Sequence, residues 1–319
     1  MKNLSLSSKE EIQYKIRTGS TIMKTFQKHK YLYLMLSVVM TYYVLFHYVP
    51  MYGVLLAFKD FSVFKGITAS PWAGFKYFNE VFTDANFWRV VTNTVLISTY
   101  KILFSFPVPI ILAILLNELT SIRFKKAVQT IIYLPHFVSW VVVAGLVFSF
   151  LSVYNGVFNQ IIVYFGWERI NFLAEPSFFR SILVSSDIWK NAGWGTIIYI
   201  AAITGISHEL YEAAIVDGAN RFKQTLHITL PGIMPTIVVL FILNLAQFLN
   251  AGFDQVFVMY NTAVMETGDI IDTYAYRKGL LQGEYSYATV VGLFKSVIGL
   301  TLILAADKFF KKVSGYGIF

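Results

Sequence analysis

Glu212-Ala213-Ala214-Ile215-Val216-Asp217-Gly218-Ala219, continued by Asn220-Arg221-Phe222-Lys223 and closed by Ile228-Thr229-Leu230-Pro231, is a polar island in a very apolar chain. Its spacing predicts a short helix opened by Glu212, a turn at Gly218 and a second short polar helix. That second helix should stop before Pro231, whose missing N–H and fixed φ suit the first turn of a new helix. A carboxylate at the start of the first helix meets the positive end of its dipole. A helix-turn-helix of this polarity between two lipid-soluble segments cannot lie in hydrocarbon, where polar groups find no partners, so it projects into water.

The surrounding chain is built for a membrane. Of 319 residues, 56% are hydrophobic and only 14% charged, against about a quarter charged in soluble domains. Mean hydropathy is +0.59. Several uncharged runs reach the roughly 20 residues that cross a hydrocarbon layer. A soluble domain with a large core is excluded on that ground. The net charge of +8 does not imply nucleic acid, because seven of the 26 Lys and Arg fall in the first thirty residues and most others flank apolar runs, as expected of residues that set topology.

Working outward from the loop, the preceding span is read over residues 188–206 and the following one over 232–253. The first carries Asn191, Gly193, Trp194, Gly195 and Thr196, and its glycines suit close helix packing. The second carries Asn244, Gln247 and Asn250 at intervals of three, which places three amides on one helical face. Such a stripe faces protein or a watery path, and amides both donate to and accept from hydroxyls. Interhelical bonding is the other reading of the stripe.

Four further spans complete the pattern. The first covers residues 31–55, and Pro50 and Gly53 loosen its end. The second, 90–116, contains Lys101, which either snorkels or faces protein, and Pro107 and Pro109, which should bend it as packing kinks or as a gate. The third, 127–150, is broken near its start by Pro135, and Tyr154-Asn155-Gly156 then marks a turn. An outside loop is expected through Asp187. Residues 254–284 form an acidic outside loop of net charge −3 with a weakly strand-like start and short helices, and a sixth span with Lys295 runs over 285–306. The stretch 1–30 reads either as an amphipathic helix on the inner surface, with Ile12, Ile16, Met23 and Phe26 dipping into lipid, or as a disordered tail. The expected fold is therefore an all-α integral membrane protein of six transmembrane helices with both termini cytoplasmic.

Inner segments sum to +5, +2 and +2, but the polar loop to −1, while outer segments sum to +1, 0 and −3. An acidic inner loop is shaped for a protein partner rather than for lipid phosphates. No G-x-x-x-x-G-K-[ST] run is present, so the chain has no recognisable phosphate cradle of its own. There is no cysteine, and His29, His47, His136, His208 and His227 lack a ligand spacing, so no metal or catalytic site is expected. Without an internal repeat, a self-sufficient secondary carrier has little to support it.

The order Glu-Ala-Ala, three residues, Gly, nine residues, Ile-x-Leu-Pro resembles the EAA loop of the membrane subunits of bacterial ATP-binding-cassette importers. The wider resemblance runs from Leu32 to Phe309. It is to sugar-importer permeases of the MalF/MalG kind with the MetI-like type I fold, and most nearly to the LplB-like oligosaccharide and polysaccharide group. It implies a permease domain over 31–309 with a coupling loop at 208–231, between a segment 1–30 and a cytoplasmic tail 310–319. In that family the loop docks on a separate ATPase. Glu212, Ala213, Ala214, Asp217, Gly218, Ala219, Arg221, Leu230 and Pro231 would carry the coupling. The helices flanking the loop line the path, so Asn191, Trp194, Tyr199, Asn244, Gln247 and Asn250 would face the sugar. The implied partners are a second, homologous permease, two ATPase subunits holding ATP and Mg, an extracellular solute-binding protein, an oligosaccharide and membrane lipid, with no nucleic acid. The place is the bacterial cell membrane, crossed several times.

Overall fold

The computed structural model describes residues 28–314. The surface segment expected over 1–30 falls almost wholly outside them, as do the last five residues of the tail. Among the described residues the chain is helical throughout, with one isolated bridge between Lys59 and Trp72. It divides into residues 1–55 and residues 56–319.

The first unit is a helix, α1 (Lys30–Tyr43), that widens into a π turn over Val44–Tyr48 and tightens into a 3-10 stretch over Val49–Phe58. Pro50 has no N–H to give an α-helical ladder, and the change of hydrogen-bond register at this end is the local consequence.

The second unit opens with short α2 (Lys76–Thr83) and then α3 (Ala85–Tyr100), capped by Asp84 accepting from the Asn86 amide at 2.8 Å. Helix α3 passes through a π turn, Lys101–Ser105, into α4 (Pro107–Asn117), and the whole run 85–117 is long and apolar enough to span a membrane. The expected bend at Pro107 and Pro109 is realised as that π turn, in which the Phe106 amide reaches the Lys101 carbonyl. One wide turn places the two prolines where the chain needs no donor from them.

The third span differs more. Helix α5 (Ile122–Tyr133), capped by Ser121, and a 3-10 turn (Leu134–Phe137) meet α6 (Trp140–Leu151), capped by Ser139, at 104°. The corner lies after Pro135, at Val138 and Ser139, and makes two short arms instead of one bent rod. Buried Lys190 closes it: its ammonium donates to the carbonyls of His136 (2.6 Å) and Val138 (2.5 Å), which the break leaves without amide partners.

The expected turn at Tyr154-Asn155-Gly156 leads into α7 (Val157–Tyr164). Helix α8 then runs unbroken from Pro176 to Thr204. The outside loop expected through Asp187 therefore ends at Glu175, and Arg180, Asp187 and Lys190 are helical. Charges that read as loop in the sequence are instead bound within the bundle, Asp187 by Lys101, and Arg180 and Lys190 by amide and backbone oxygens. Gly193 and Gly195 fit the packing role, since a Cβ would stand 1.9 Å from the Ile132 carbonyl oxygen and 2.9 Å from Pro109.

Helix α9 (His208–Val216) is capped by Ser207, and Glu209, not Glu212, occupies its first turn. Glu212 lies mid-helix, so the dipole argument passes to its neighbour. Helix α10 (Arg221–Gln224), capped by Asn220, does not stop before Pro231: a π turn (Thr225–Thr229) carries it into α11 (Leu230–Ala246). Pro231 sits in the first turn of α11, where a missing N–H is harmless. Helix α11 ends at Ala246, earlier than expected, with Gln247 as its cap and Gly252 at φ 97°. The strand-like reading of residue 254 onward fails as well, because α12 (Phe253–Met259) begins there. It is followed by a turn at Met265–Gly268, α13 (Ile271–Tyr276) with a π turn to Leu281, and α14 (Tyr285–Ser314). Two buried clusters hold the unit together near its functional parts. Phe87, Val90, Leu249, Tyr274, Val290 and Val291 join α3, α13 and α14, while Ala113, Tyr199, Ile203 and Ile233 join α4, α8 and α11.

Among the described residues, four helices are long and apolar enough to cross a membrane, or five with the cornered pair as one. Helix α8 is long enough at 29 residues but carries Arg180, Asp187 and Lys190.

Candidate functional site

Two features stand apart from the packed helices: a largely apolar cavity with a set of polar side chains in its wall, and the loop that joins two of its walls. The cavity, about 440 Å³, is enclosed by the α3–α4 junction, α8, the end of α11 and the 247–252 turn. This is within the usual range for ligand pockets. Asn191 and Tyr199 reach it from α8, and Asn244, Gln247 and Asn250 from the end of α11 and the following turn. Five of the six residues read from the sequence as a sugar path thus share one cavity.

They do so by a different geometry from the one expected. The three amides are not a stripe on one helix, because α11 stops at Ala246. Asn244 bonds its own helix at the Leu240 carbonyl (2.9 Å), and Asn250 Nδ2 donates to Gln247 Oε1 (3.3 Å) within the turn. Asn191 donates to Asp187 (3.0 Å) and contacts His136 Nδ1 (3.2 Å). Tyr199 is 3% exposed and packs into the α4–α8–α11 cluster, so it offers the cavity little surface. Trp194 lies elsewhere, stacked flat on His136 with ring centroids 4.7 Å apart. Trp194 lies about one turn from Asn191 on the same side of α8, and its ring is taken up by the stack on His136, which also contacts Asn191 Oδ1.

Four cavity residues escaped the sequence reading as a group. Lys101, at the first position of the π turn, lies 3.7 Å from Asp187 and lines the cavity with it. Ser98 and Ser105 flank Lys101 on the same wall. A lone Lys in one apolar run and a lone Asp at the head of another are the available signal, and their pairing was hidden because Asp187 read as loop.

The loop, residues 205–229, is mostly exposed. Glu212, Ala213, Asp217, Gly218, Arg221 and Pro231 are exposed, and Ala214, Ala219 and Leu230 half-buried. Val216 and Phe222 stand at 87% and 74% exposure. Gly218 adopts φ 74°, with open space where a Cβ would project. Its requirement is conformational, since side chains are disfavoured in this backbone region. Arg221 ties the loop to Glu118 at 2.6 Å, and Tyr211 Oη meets Thr229 Oγ1 at 2.9 Å within the loop itself. The loop leaves α8 and enters α11 directly, so whatever moves it moves two walls of the cavity.

Residues 105–315 match the family of binding-protein-dependent transport system inner membrane components. The chain is 46% identical to the protein LplB of Bacillus subtilis (strain 168), with 94% of this chain and 95% of LplB covered. It is 47% identical to the polygalacturonan/rhamnogalacturonan transport system permease protein YteP of the same organism, over 92% and 91%. Among solved structures it resembles a chain of a bacterial alginate ABC transporter in complex with an alginate pentasaccharide-bound periplasmic protein. The TM-score is 0.86 at 41% identity, covering 92% of this chain and 99% of that one.

Proposed function

Given that the chain belongs to the family of binding-protein-dependent transport system inner membrane components, we propose that it forms half of the translocation path of an ATP-driven oligosaccharide importer and couples that path to a separate ATPase through residues 208–231. It is a non-catalytic, multi-pass subunit of the bacterial cell membrane with the MetI-like fold. The observation that carries the proposal is the direct connection of the exposed loop to α8 and α11, two walls of the cavity that Asn191, Asn244, Gln247 and Asn250 line.

In this reading Glu212, Ala213, Ala214, Asp217, Gly218, Ala219, Arg221, Leu230 and Pro231 present the loop to the ATPase, which holds ATP and Mg. Asn191, Tyr199, Asn244, Gln247 and Asn250 face the sugar, with Trp194 supporting them from α8, where it stacks on His136 of the α5–α6 corner. The chain crosses the membrane six times: α1, α3–α4, the cornered α5–α6 pair, α8, α11 and α14. An even count puts both termini on one side, and the basic residues 2–30 and 308–312 make that side the cytoplasm. The permease domain is residues 31–309, between the segment 1–30 and the tail 310–319. The partners are a homologous second permease, two ATPase subunits, an external solute-binding protein that delivers the oligosaccharide, and the surrounding lipid. The names of the relatives, one a permease for pectic polysaccharides and one part of an alginate importer, support a polysaccharide-derived cargo.

Reconstitution tests the proposal. Proteoliposomes holding this chain alone should show no ATP-dependent oligosaccharide uptake, and those holding it with a second permease, ATPase and binding protein should. Uptake by the chain alone, or failure of the complete set with every oligosaccharide offered, would overturn it.

A further inference from the structure

The cavity wall formed by α3 and the π turn contains groups that nothing in the path reading uses. Lys101 Nζ donates to the Ala251 carbonyl (2.8 Å) and to Gln255 Oε1 (2.6 Å). Gln255 is fully buried and itself locked, its amide nitrogen donating to the Leu183 carbonyl (2.7 Å) and Ser186 Oγ (2.8 Å). Gly252, in the left-handed region, leaves room for the ammonium, because a Cβ there would stand 2.9 Å from Nζ. The cation is therefore held in place by three elements. Two of its protons are committed, and Asp187, at 3.7 Å, is near enough to neutralise it but too far for a direct hydrogen bond. Asp187 Oδ1 is meanwhile engaged by Asn191 Nδ2.

On either side of Lys101, the hydroxyls of Ser98 and Ser105 are buried and have no hydrogen-bond partner within the chain. Ser98 is 5% exposed. An unpaired buried hydroxyl costs about 1–3 kcal/mol, and both belong to residues of the cavity wall beside a fixed cation, so a rotation about χ1 would turn either donor to an acceptor there. Neutral sugar hydroxyls could pair with the serines alone. The preorganised ammonium adds a preference for an anion, since charge-assisted bonds are about twice as strong as neutral ones.

We propose that Lys101, Ser98 and Ser105 form a subsite for the carboxylate of an acidic sugar unit, with Asp187 as the resident counter-ion that the substrate carboxylate competes against. This rests on the cavity being the oligosaccharide path. The competing Asp187 keeps the subsite weak, which suits a path, because a passing solute must leave as readily as it enters. A substrate carboxylate accepts from the uncommitted Lys101 N–H and from one of the two hydroxyls, which stand about two helical turns apart, and when it departs the Lys101–Asp187 pair neutralises the wall again. No proton needs to be exchanged with solvent in either step.

The test compares initial uptake rates of a hexuronic-acid trisaccharide and of its carboxyl-reduced, neutral counterpart of the same linkage, using the complete reconstituted complex. In Lys101→Gln the acidic-to-neutral ratio should fall about tenfold or more, the scale set by a bond to a charged group. Asp187→Asn should raise the ratio, and Ser98→Ala should lower it by a smaller factor. Because Lys101→Gln strands Asp187, the charge-neutral double variant Lys101→Gln/Asp187→Asn is made as well and should also lose the preference. An unchanged ratio in whichever of these variants assembles would overturn the subsite. So would wild-type uptake of the neutral probe with none of the acidic one, which would leave the importer reading intact. Uptake of neither probe, nor of any other oligosaccharide, would instead count against the importer reading itself.

Discussion

The 205–229 loop and the 253–284 segment both connect long helices, yet one is held by almost nothing in its own chain and the other by a dense polar net. The loop exposes Val216 and Phe222 and is tied by one exposed ion pair, with one Tyr–Thr contact within the loop itself. In the 253–284 segment, Asp269 is fully buried, pairs with Arg277 and accepts from Thr273 Oγ1 at 2.8 Å. Tyr274 Oη donates to Asp84 at 2.6 Å, Asn93 donates to the carbonyl oxygens of Glu266 and Asp269, and Lys295 pairs with Asp272 at 2.5 Å. Burial raises the Asp84 pKa, but the hydrogen bonds from Tyr274, the Asn86 amide and Tyr287 outweigh it, so the carboxyl stays below its ordinary range and ionised. A segment satisfied internally is a fixed part of the scaffold. One left unsatisfied, with apolar side chains outward, is completed by another protein.

The comparison breaks most readily at Asp269. Asp269→Asn keeps the shape and removes the charge, leaving Arg277 half-buried without its counter-ion. Loss of one partner from a buried pair costs about 3–5 kcal/mol. The thermal midpoint of the purified complex should drop clearly and its yield should fall. A midpoint equal to wild type would mean that the 253–284 segment is not the fixed partner in this contrast.

Gly218 is the corresponding test in the loop. Gly218→Leu forces a side chain into φ 74° at a cost of about 1–2 kcal/mol, and the open space around it means that no clash inside the chain adds to this. Assembly in the membrane should survive while substrate-stimulated ATPase activity collapses. Gly218→Asn should be milder, because Asn tolerates this region. Full stimulation in Gly218→Leu at normal complex yield would remove the loop from coupling.

Much of this contrast was legible in the sequence, and the exceptions share a cause. Polarity between apolar runs identified the loop, and hydropathy located α1, α3–α4, α11 and α14, because both signals are local. What stayed hidden depends on distant partners. Asp187 read as loop since an isolated acid beside Lys190 looks solvated, whereas Lys101, 86 positions earlier in the chain, is what makes it affordable in a helix. The corner after Pro135 depends on Lys190 reaching back to three carbonyls. The three amides line one cavity, but not as the helical stripe that was expected, because α11 ends at Ala246. Pro107 and Pro109 were read as bends and Pro231 as the first turn of a new helix, and in each case a π turn just upstream lets the helix run on.

The smallest stability effect belongs to Arg221, and there the two regions should differ in kind. Its guanidinium bonds Glu118, but the side chains are 70% and 34% exposed, and pairs of that exposure contribute about 0–1 kcal/mol. Arg221→Ala should therefore leave the thermal midpoint and yield of the complex within error of wild type. If the bond served only to fasten the loop to the end of α4, coupling would be nearly unchanged too. If Arg221 and Glu212 are surfaces for the ATPase, then Arg221→Ala and Glu212→Ala should each weaken ATPase association or its stimulation by substrate several-fold, and more so at high ionic strength, where screening removes the remaining charge attraction. The discriminating measurement is ATPase retention by the purified complex at low and high salt, taken together with its melting curve. Retention unchanged in both variants at both salts would assign these charges to the surface of the chain alone and leave docking to the apolar side chains Val216 and Phe222.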